Sequence, residues 1–238
     1  MTLAMTKMFR LPQRHPSAVL LLVQLLGVLL YPFIEETKIG HAGLNALGIV
    51  VLGMAIRTVY KTPGPTWVSV ALAVPIIVLL GLQTIYEMPG LLPWSSALEA
   101  VFYFYAAASL IAYMMEDYQT TVDELFAAAA TFTLLVWAFT HLFVMTQALQ
   151  PGAFSEDGTI RSWSDLNHLS FALLTSTGMG NIVAVSSHAR SLASIEMLAG
   201  LMYLTAVVTR LIGFTMPTMK TTTKINAETG HAEERHRS

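Results

Sequence analysis

The chain reads as an all-α membrane protein with about six transmembrane helices and a re-entrant short helix and loop between the last two. Three observations predict this. Hydrophobic residues make up 54% of the 238 positions and charged residues only 12%, about half the charged share of an ordinary soluble domain. The apolar residues gather into runs near the ~20 residues that a helix needs to cross a bilayer. One stretch, from Gln150 to Arg190, is too long for a turn and too polar for another span.

The runs fall at about 17–34, 42–60, 66–86, 95–115, 122–149 and 191–215. The first follows Lys7, Arg10 and Arg14. It is longer than the core of a secretory signal and ends at Tyr31-Pro32-Phe33 without a small-x-small site, so a retained helix is expected. Glu35-Glu36-Thr37-Lys38 separates it from the second run, and Lys61-Thr62-Pro63-Gly64-Pro65 is a turn signal before the third. Pro89-Gly90 and Pro93 lie ahead of the fourth, beside Trp94, an aromatic suited to the membrane interface. Thr121-Val122-Asp123-Glu124 has the form of a capping box and opens the fifth.

Lysine and arginine set the orientation. With the N-terminus inside, only Lys38, Arg161 and Arg190 fall outside, and the other ten of the 13 basic residues face the cytoplasm. Both termini are therefore expected there. The parts are a cytoplasmic segment 1–16, four peripheral helices within 17–116, a pore module 122–215 and a polar, disordered cytoplasmic tail 216–238. A formal net charge of −2 gives no sign of a nucleic-acid partner. The absence of cysteine excludes disulfides, thiol catalysis and cysteine-held metals.

The stretch after Gln150 starts polar, from Pro151 to Thr159. Ser162-Trp163-Ser164-Asp165 then offers Ser162 as an N-cap and Asp165 at the third position, near the positive helix end. The helix it opens, about 165–175, is too short to span. Thr175-Ser176-Thr177-Gly178-Met179-Gly180-Asn181 follows. Extended backbone at membrane depth is tolerated only inside protein or along a water-filled path. Ion filters meet that condition by stacking carbonyl oxygens that replace a cation's hydration shell. Aiming successive carbonyls at one axis needs alternating backbone handedness, and left-handed residues cost least as glycine. Gly178 and Gly180 fall at alternate positions. The Ser176 hydroxyl offers a further oxygen at the inner end.

Ser176 to Asn181 resembles the potassium-channel signature threonine-valine-glycine-tyrosine-glycine-aspartate. The stretch from Leu166 to Phe214, with HLSFALLTSTGMGNI and HARSLASIEMLAGLMYLTAVVTRLIG, is similar to the two-helix pore module of bacterial ion channels. The resemblance covers about fifty residues and implies a homotetramer in a bacterial inner membrane. Ser176, Thr177, Gly178, Met179 and Gly180 would form the filter and Asn181 the pore mouth. Glu196 matches the family's inner-helix acid and is expected to support the filter. Gly200 matches its hinge glycine, and Arg210 its inner-end arginine. Met179 replaces the tyrosine whose hydroxyl anchors the filter, Asn181 replaces an aspartate, and Thr177 replaces a β-branched aliphatic residue. Potassium is the expected ion, with sodium admitted by these departures. The partners are further copies of the chain, the lipid bilayer and monovalent cations. No cofactor, and no metal beyond the permeant ion, is expected.

Other residues carry blander expectations. Glu99 suits an interface, His141 and His168 suit satisfaction by nearby backbone groups, and Arg210 suits a snorkelling position. Gly200 serves a hinge or a close helix contact equally well. The fourth run carries no arginine or lysine, so it lacks the charges a voltage sensor moves. The function expected is passive cation permeation, not catalysis. The alternatives are a non-selective monovalent cation channel, a non-conducting regulatory subunit and an intramembrane serine peptidase using Ser176 with His141 or His168.

Overall fold

A computed structural model describes residues 16–35, 48–57, 60, 65–86, 88–115 and 121–215. The expected tail 216–238 and the first fifteen residues lie outside the described residues, as do Lys38 and most of the Lys61–Pro65 turn signal. The helices are α1 (Pro16–Glu35), α2 (Gly48–Arg57), α3 (Thr66–Tyr86), α4 (Leu92–Met115), α5 (Val122–Leu149), α6 (Trp163–Leu174) and α7 (Ser187–Thr215), with a single 3-10 turn at Pro89–Leu91. There is no strand among the described residues. Four of the described helices, α3, α4, α5 and α7, are long and apolar enough to cross a membrane. The two apolar helices ahead of them are shorter, over Pro16–Tyr31 and Gly48–Arg57.

The helix starts follow local chemistry. Thr121 caps α5, its hydroxyl accepting from the Glu124 amide at 3.3 Å. α4 begins three residues ahead of expectation, because Pro93 falls in a first turn where no intrahelical N–H is needed. α7 begins four residues early. Ser186 caps it, accepting from the Ala189 amide at 3.2 Å, and its carbonyl accepts from Arg190 N–H at 2.9 Å.

Helix α5 is the common partner of the fold. In its membrane-length window 72% of residues are buried, against 22% for α3 and for α7. Four of its threonines, Thr131, Thr133, Thr140 and Thr146, donate to the carbonyl four residues earlier. Each hydroxyl is thereby satisfied within the helix, and the outer surface of α5 stays apolar enough to bury.

Named contacts fix the directions around α5. Glu99 lies opposite His141, and Tyr103 packs edge-on to Trp137, so α4 runs antiparallel to α5. Ser17 donates to Asp123 at 3.0 Å, while Tyr31 and Trp137 both meet Trp163. That places α1 parallel to α5. α7 runs antiparallel, with Tyr203 donating to the Ala128 carbonyl and Arg210 bonding Glu124 at 2.7 Å. Arg210 is thus an ion-pair partner that ties the last turns of α7 to the first turn of α5. Most of the buried apolar side chains of α1, α2, α3, α4 and α5 form one cluster.

The link from α5 to α6 is held at both ends. Gln147 accepts from the Arg161 amide at 2.8 Å and donates to the Arg161 carbonyl at 2.9 Å. Asp157 accepts from the Ser155 hydroxyl, from the Thr159 hydroxyl at 2.8 Å and from the Thr159 amide at 3.2 Å. These bonds favour the ionised carboxylate, Ser155 first, and bring the Asp157 pKa down from 3.8 to about 2. The support Asp157 gives this turn is therefore present above the ordinary aspartate value and is lost as pH falls through about 2. The protection of the Thr159 amide, its exchange measured against the intrinsic rate at each pH, is expected to fall over that acid range in the native chain. In Asp157→Asn that protection is expected to be independent of pH there.

Candidate functional site

The site is built around α6, a helix of 12 residues that ends inside the bundle. The Ser162 hydroxyl accepts from the Asp165 amide at 3.1 Å, and the Asp165 carboxylate accepts from the Ser162 amide at 3.3 Å. Both halves of the expected capping box are present, which fixes where α6 starts. Asn167 and Ser170, on the buried side, then bond α5: Asn167 Nδ2 donates to Thr140 Oγ1 at 3.1 Å, and Ser170 Oγ donates to the Val136 carbonyl at 2.9 Å.

The last four carbonyls of a helix have no partner within it, so their donors must come from elsewhere. The chain following α6 turns back to provide donors. Phe171 O receives the Thr175 amide at 3.1 Å and the Thr175 hydroxyl at 2.7 Å. Ala172 O receives the amides of Thr177 and Gly178 at 3.0 and 3.2 Å, and Leu173 O receives the Ser176 amide at 2.9 Å. The fourth carbonyl, Leu174 O, lies against Gly200 of α7. A Cβ on Gly200 would come within 2.0 Å of it. Gly200 is therefore the point at which the α7 backbone crosses the end of α6, a steric duty that hydrogen alone permits.

Beyond this turn the backbone alternates in handedness. φ is +55° at Ser176, +63° at Gly178 and +147° at Gly180. The glycine spacing in the sequence matches the two later positions. Ser176 extends the pattern inward as the one non-glycine with positive φ among the described residues. Thr175 to Asn181 are all exposed on the single chain, and nothing among the described residues donates to the carbonyls from Ser176 to Gly180. A strip of main-chain oxygens is left without a donor among the described residues.

The outer end of the strip is anchored. Ile182 is buried with Phe143, Phe154, Leu166 and Leu169, and Val185 N–H donates to the Ala153 carbonyl at 2.8 Å. His168, exposed on α6, brings its imidazole against Gly180, 3.5 Å from where a Cβ would stand. Met179 is 72% exposed and Asn181 is exposed beside it.

Glu196 is fully buried on α7 and meets Ser170 Oγ. The Ser170 hydroxyl thus contacts two acceptors, Val136 O and Glu196 Oε1, with a single proton to give. Both contacts are hydrogen bonds only when Glu196 supplies the second proton. The other carboxyl oxygen, Oε2, is buried with no partner among the described residues. Glu196 lies nine residues into α7, about 13 Å from its start at 1.5 Å per residue. Its contact with the helix that precedes the strip is made at Ser170 of α6.

No family model, curated protein or solved structure matches this chain. The residues themselves carry the functional argument.

Two residues read from sequence as unremarkable are placed differently by the structure. Glu99, expected at an interface, is 6% exposed, with its Oε2 3.3 Å from His141 Nδ1. His141 thus faces a carboxylate, where backbone partners were expected. Their pairing follows from the α4–α5 hairpin, in which Glu99–His141 and Tyr103–Trp137 mirror one another about residue 120. Hairpin symmetry was the available signal.

Two outcomes follow from the packing. Gly200→Ala is expected to cost at least the ~1–3 kcal/mol typical of overpacking, because the group it meets is backbone; thermal unfolding in detergent measures it. Ser170→Ala removes the one partner of a buried carboxyl group and is expected to cost about 1–3 kcal/mol. Adding Glu196→Leu to that variant is expected to recover most of the loss, in the same assay.

Proposed function

We propose that the chain is one subunit of a homotetrameric cation channel, with Ser176 to Gly180 as its filter, Asn181 at the mouth and potassium as the expected ion. The observation that carries this reading is the strip of unpaired carbonyls on backbone that is left-handed at Ser176, Gly178 and Gly180. A single chain contributes oxygens from one side only. Four around an axis would close each layer into a ring, where oxygens replace the water a cation sheds. Binding must offset dehydration and still release the ion, so permeation is passive.

In this reading α5 is the outer helix, α6 a re-entrant pore helix and α7 the inner helix, with α1 to α4 as a periphery that brings the spans to six. The protein is then integral to a bacterial inner membrane with both termini cytoplasmic, as the lysine and arginine bias suggests. Glu196 and Ser170 hold α6 at its height. Gly200 marks the crossing about which α7 could pivot as a gating hinge. A non-selective monovalent pore is the second reading, and one observation favours it. Met179, 72% exposed, leaves the filter wall without the anchor that a buried tyrosine hydroxyl gives.

Purified protein in planar bilayers under opposed potassium and sodium gradients tests both readings. A reversal potential near the potassium equilibrium value supports the selective pore; one near zero supports the non-selective pore. Gly178→Ala puts a Cβ on a left-handed residue in otherwise open space. It is expected to abolish current in either case while the protein still assembles. Current of native size in Gly178→Ala would remove the filter from this site.

A further inference from the structure

We propose that Glu99 and His141 form a proton-binding site inside the helix bundle, coupled through Trp163 to the start of α6. The site itself stands on the α4–α5 geometry. Its effect on permeation rests on the channel reading above.

The two groups come from different helices and meet away from the helix ends. Glu99 lies seven residues into α4 and His141 eight residues before the end of α5, about 10–12 Å in at 1.5 Å per residue. An ionisable residue at such depth needs a partner and is rarely neutral to function. Here the carboxylate and imidazole are 3.3 Å apart, and their side chains keep only 9% and 11% exposure. That is narrow access, enough for protons and small beside what an ion pair at the surface would have. With one proton between them the two groups carry no net charge. Removing it leaves a lone carboxylate, and adding another leaves a lone imidazolium. Either state buries an uncompensated charge, which protein interiors resist by moving or admitting water.

The surroundings give such a movement a direction. Tyr103 of α4 stacks on the imidazole, with ring centroids 5.5 Å apart, and is the other titratable group facing it. From α6 comes Trp163, edge-on at 6.4 Å. Asp165, the charged group in the first turn of α6, is engaged by the Ser162 cap. From α1 comes Tyr31, stacked on the far side of Trp163 at 4.3 Å. Glu196 of α7 approaches α6 at Ser170. Trp163 is the first residue of α6, so a displacement of the His141 ring bears on the start of the helix whose other end carries the filter strip.

The full chain in liposomes offers two separate readouts between about pH 9 and about pH 4, a range that brackets ordinary histidine titration. Tryptophan emission is followed with Trp163→Phe as the reference, and potassium flux is recorded from the same preparation. The native chain is expected to show an emission step that Trp163→Phe lacks, and a flux change of at least threefold with the same midpoint. Glu99→Gln is expected to move that midpoint by at least one pH unit. Glu99→Gln/His141→Gln keeps a neutral, hydrogen-bonding pair at the site and leaves neither position a lone charge. It is expected to remove the step from both readouts.

An emission curve in the double variant superimposed on the native one would overturn the proton site. A flux curve in that variant that keeps its native pH dependence would overturn the coupling. Loss of the emission step in a protein that carries no flux in any form supports the site and counts against the channel reading alone.

Discussion

A helix must dispose of its last carbonyl oxygens, and the architecture around α6 is arranged around that need. Three of the four at the end of α6 are taken by the chain that follows, which forces Thr175 to Gly178 into a tight return. The fourth is covered by the bare backbone of Gly200. The amides within this turn are spent on the end of α6, and the carbonyls from Ser176 to Gly180 accept nothing among the described residues. Capping the helix and presenting the oxygen strip are thus one structural act.

Part of the burial of α5 serves the same need, beside its packing on α4 and α1. A short helix cannot be held by length, so it is held sideways through hydrogen bonds. Val136 and Thr140 receive Ser170 and Asn167, and on the opposite flank Glu196 meets the same Ser170 hydroxyl. Interhelical bonds of this kind are individually modest, about 0.6 kcal/mol on average within membranes. Their value lies in fixing height and rotation. Apolar packing adds to this around Trp163, where rings from α1, α5 and α6 converge, and through Leu166 and Leu169.

Much of this was legible in the sequence wherever the signal was local. The bounds of α3 and α5 fall at 66–86 and 122–149 as read, because Pro65 and the Thr121 cap punctuate them sharply. The Ser162–Asp165 box and the glycine alternation at 178 and 180 were equally local. Signals relayed through space were not legible. Glu99 and Arg210 looked interfacial because hydropathy treats a charge as a cost, whereas His141 and Glu124 each meet one across a helix contact. Gly200 was open between pivot and contact until Leu174 O was found above it. Ser176 gave no hint of its backbone, since serine is not a residue that announces positive φ.

That serine has a thermodynamic consequence. A left-handed conformation costs a residue with a Cβ roughly 1–2 kcal/mol relative to the right-handed one, and glycine at the same place would avoid it. The hydroxyl confers no return within a single chain, where Ser176 is exposed. If four subunits close around an axis, the strain is borne by each chain separately while the ring of hydroxyls is shared by all. The penalty then belongs to the separated subunits and its compensation to the assembly. Such a term would favour the closed ring over its separated members without any change in the backbone of each.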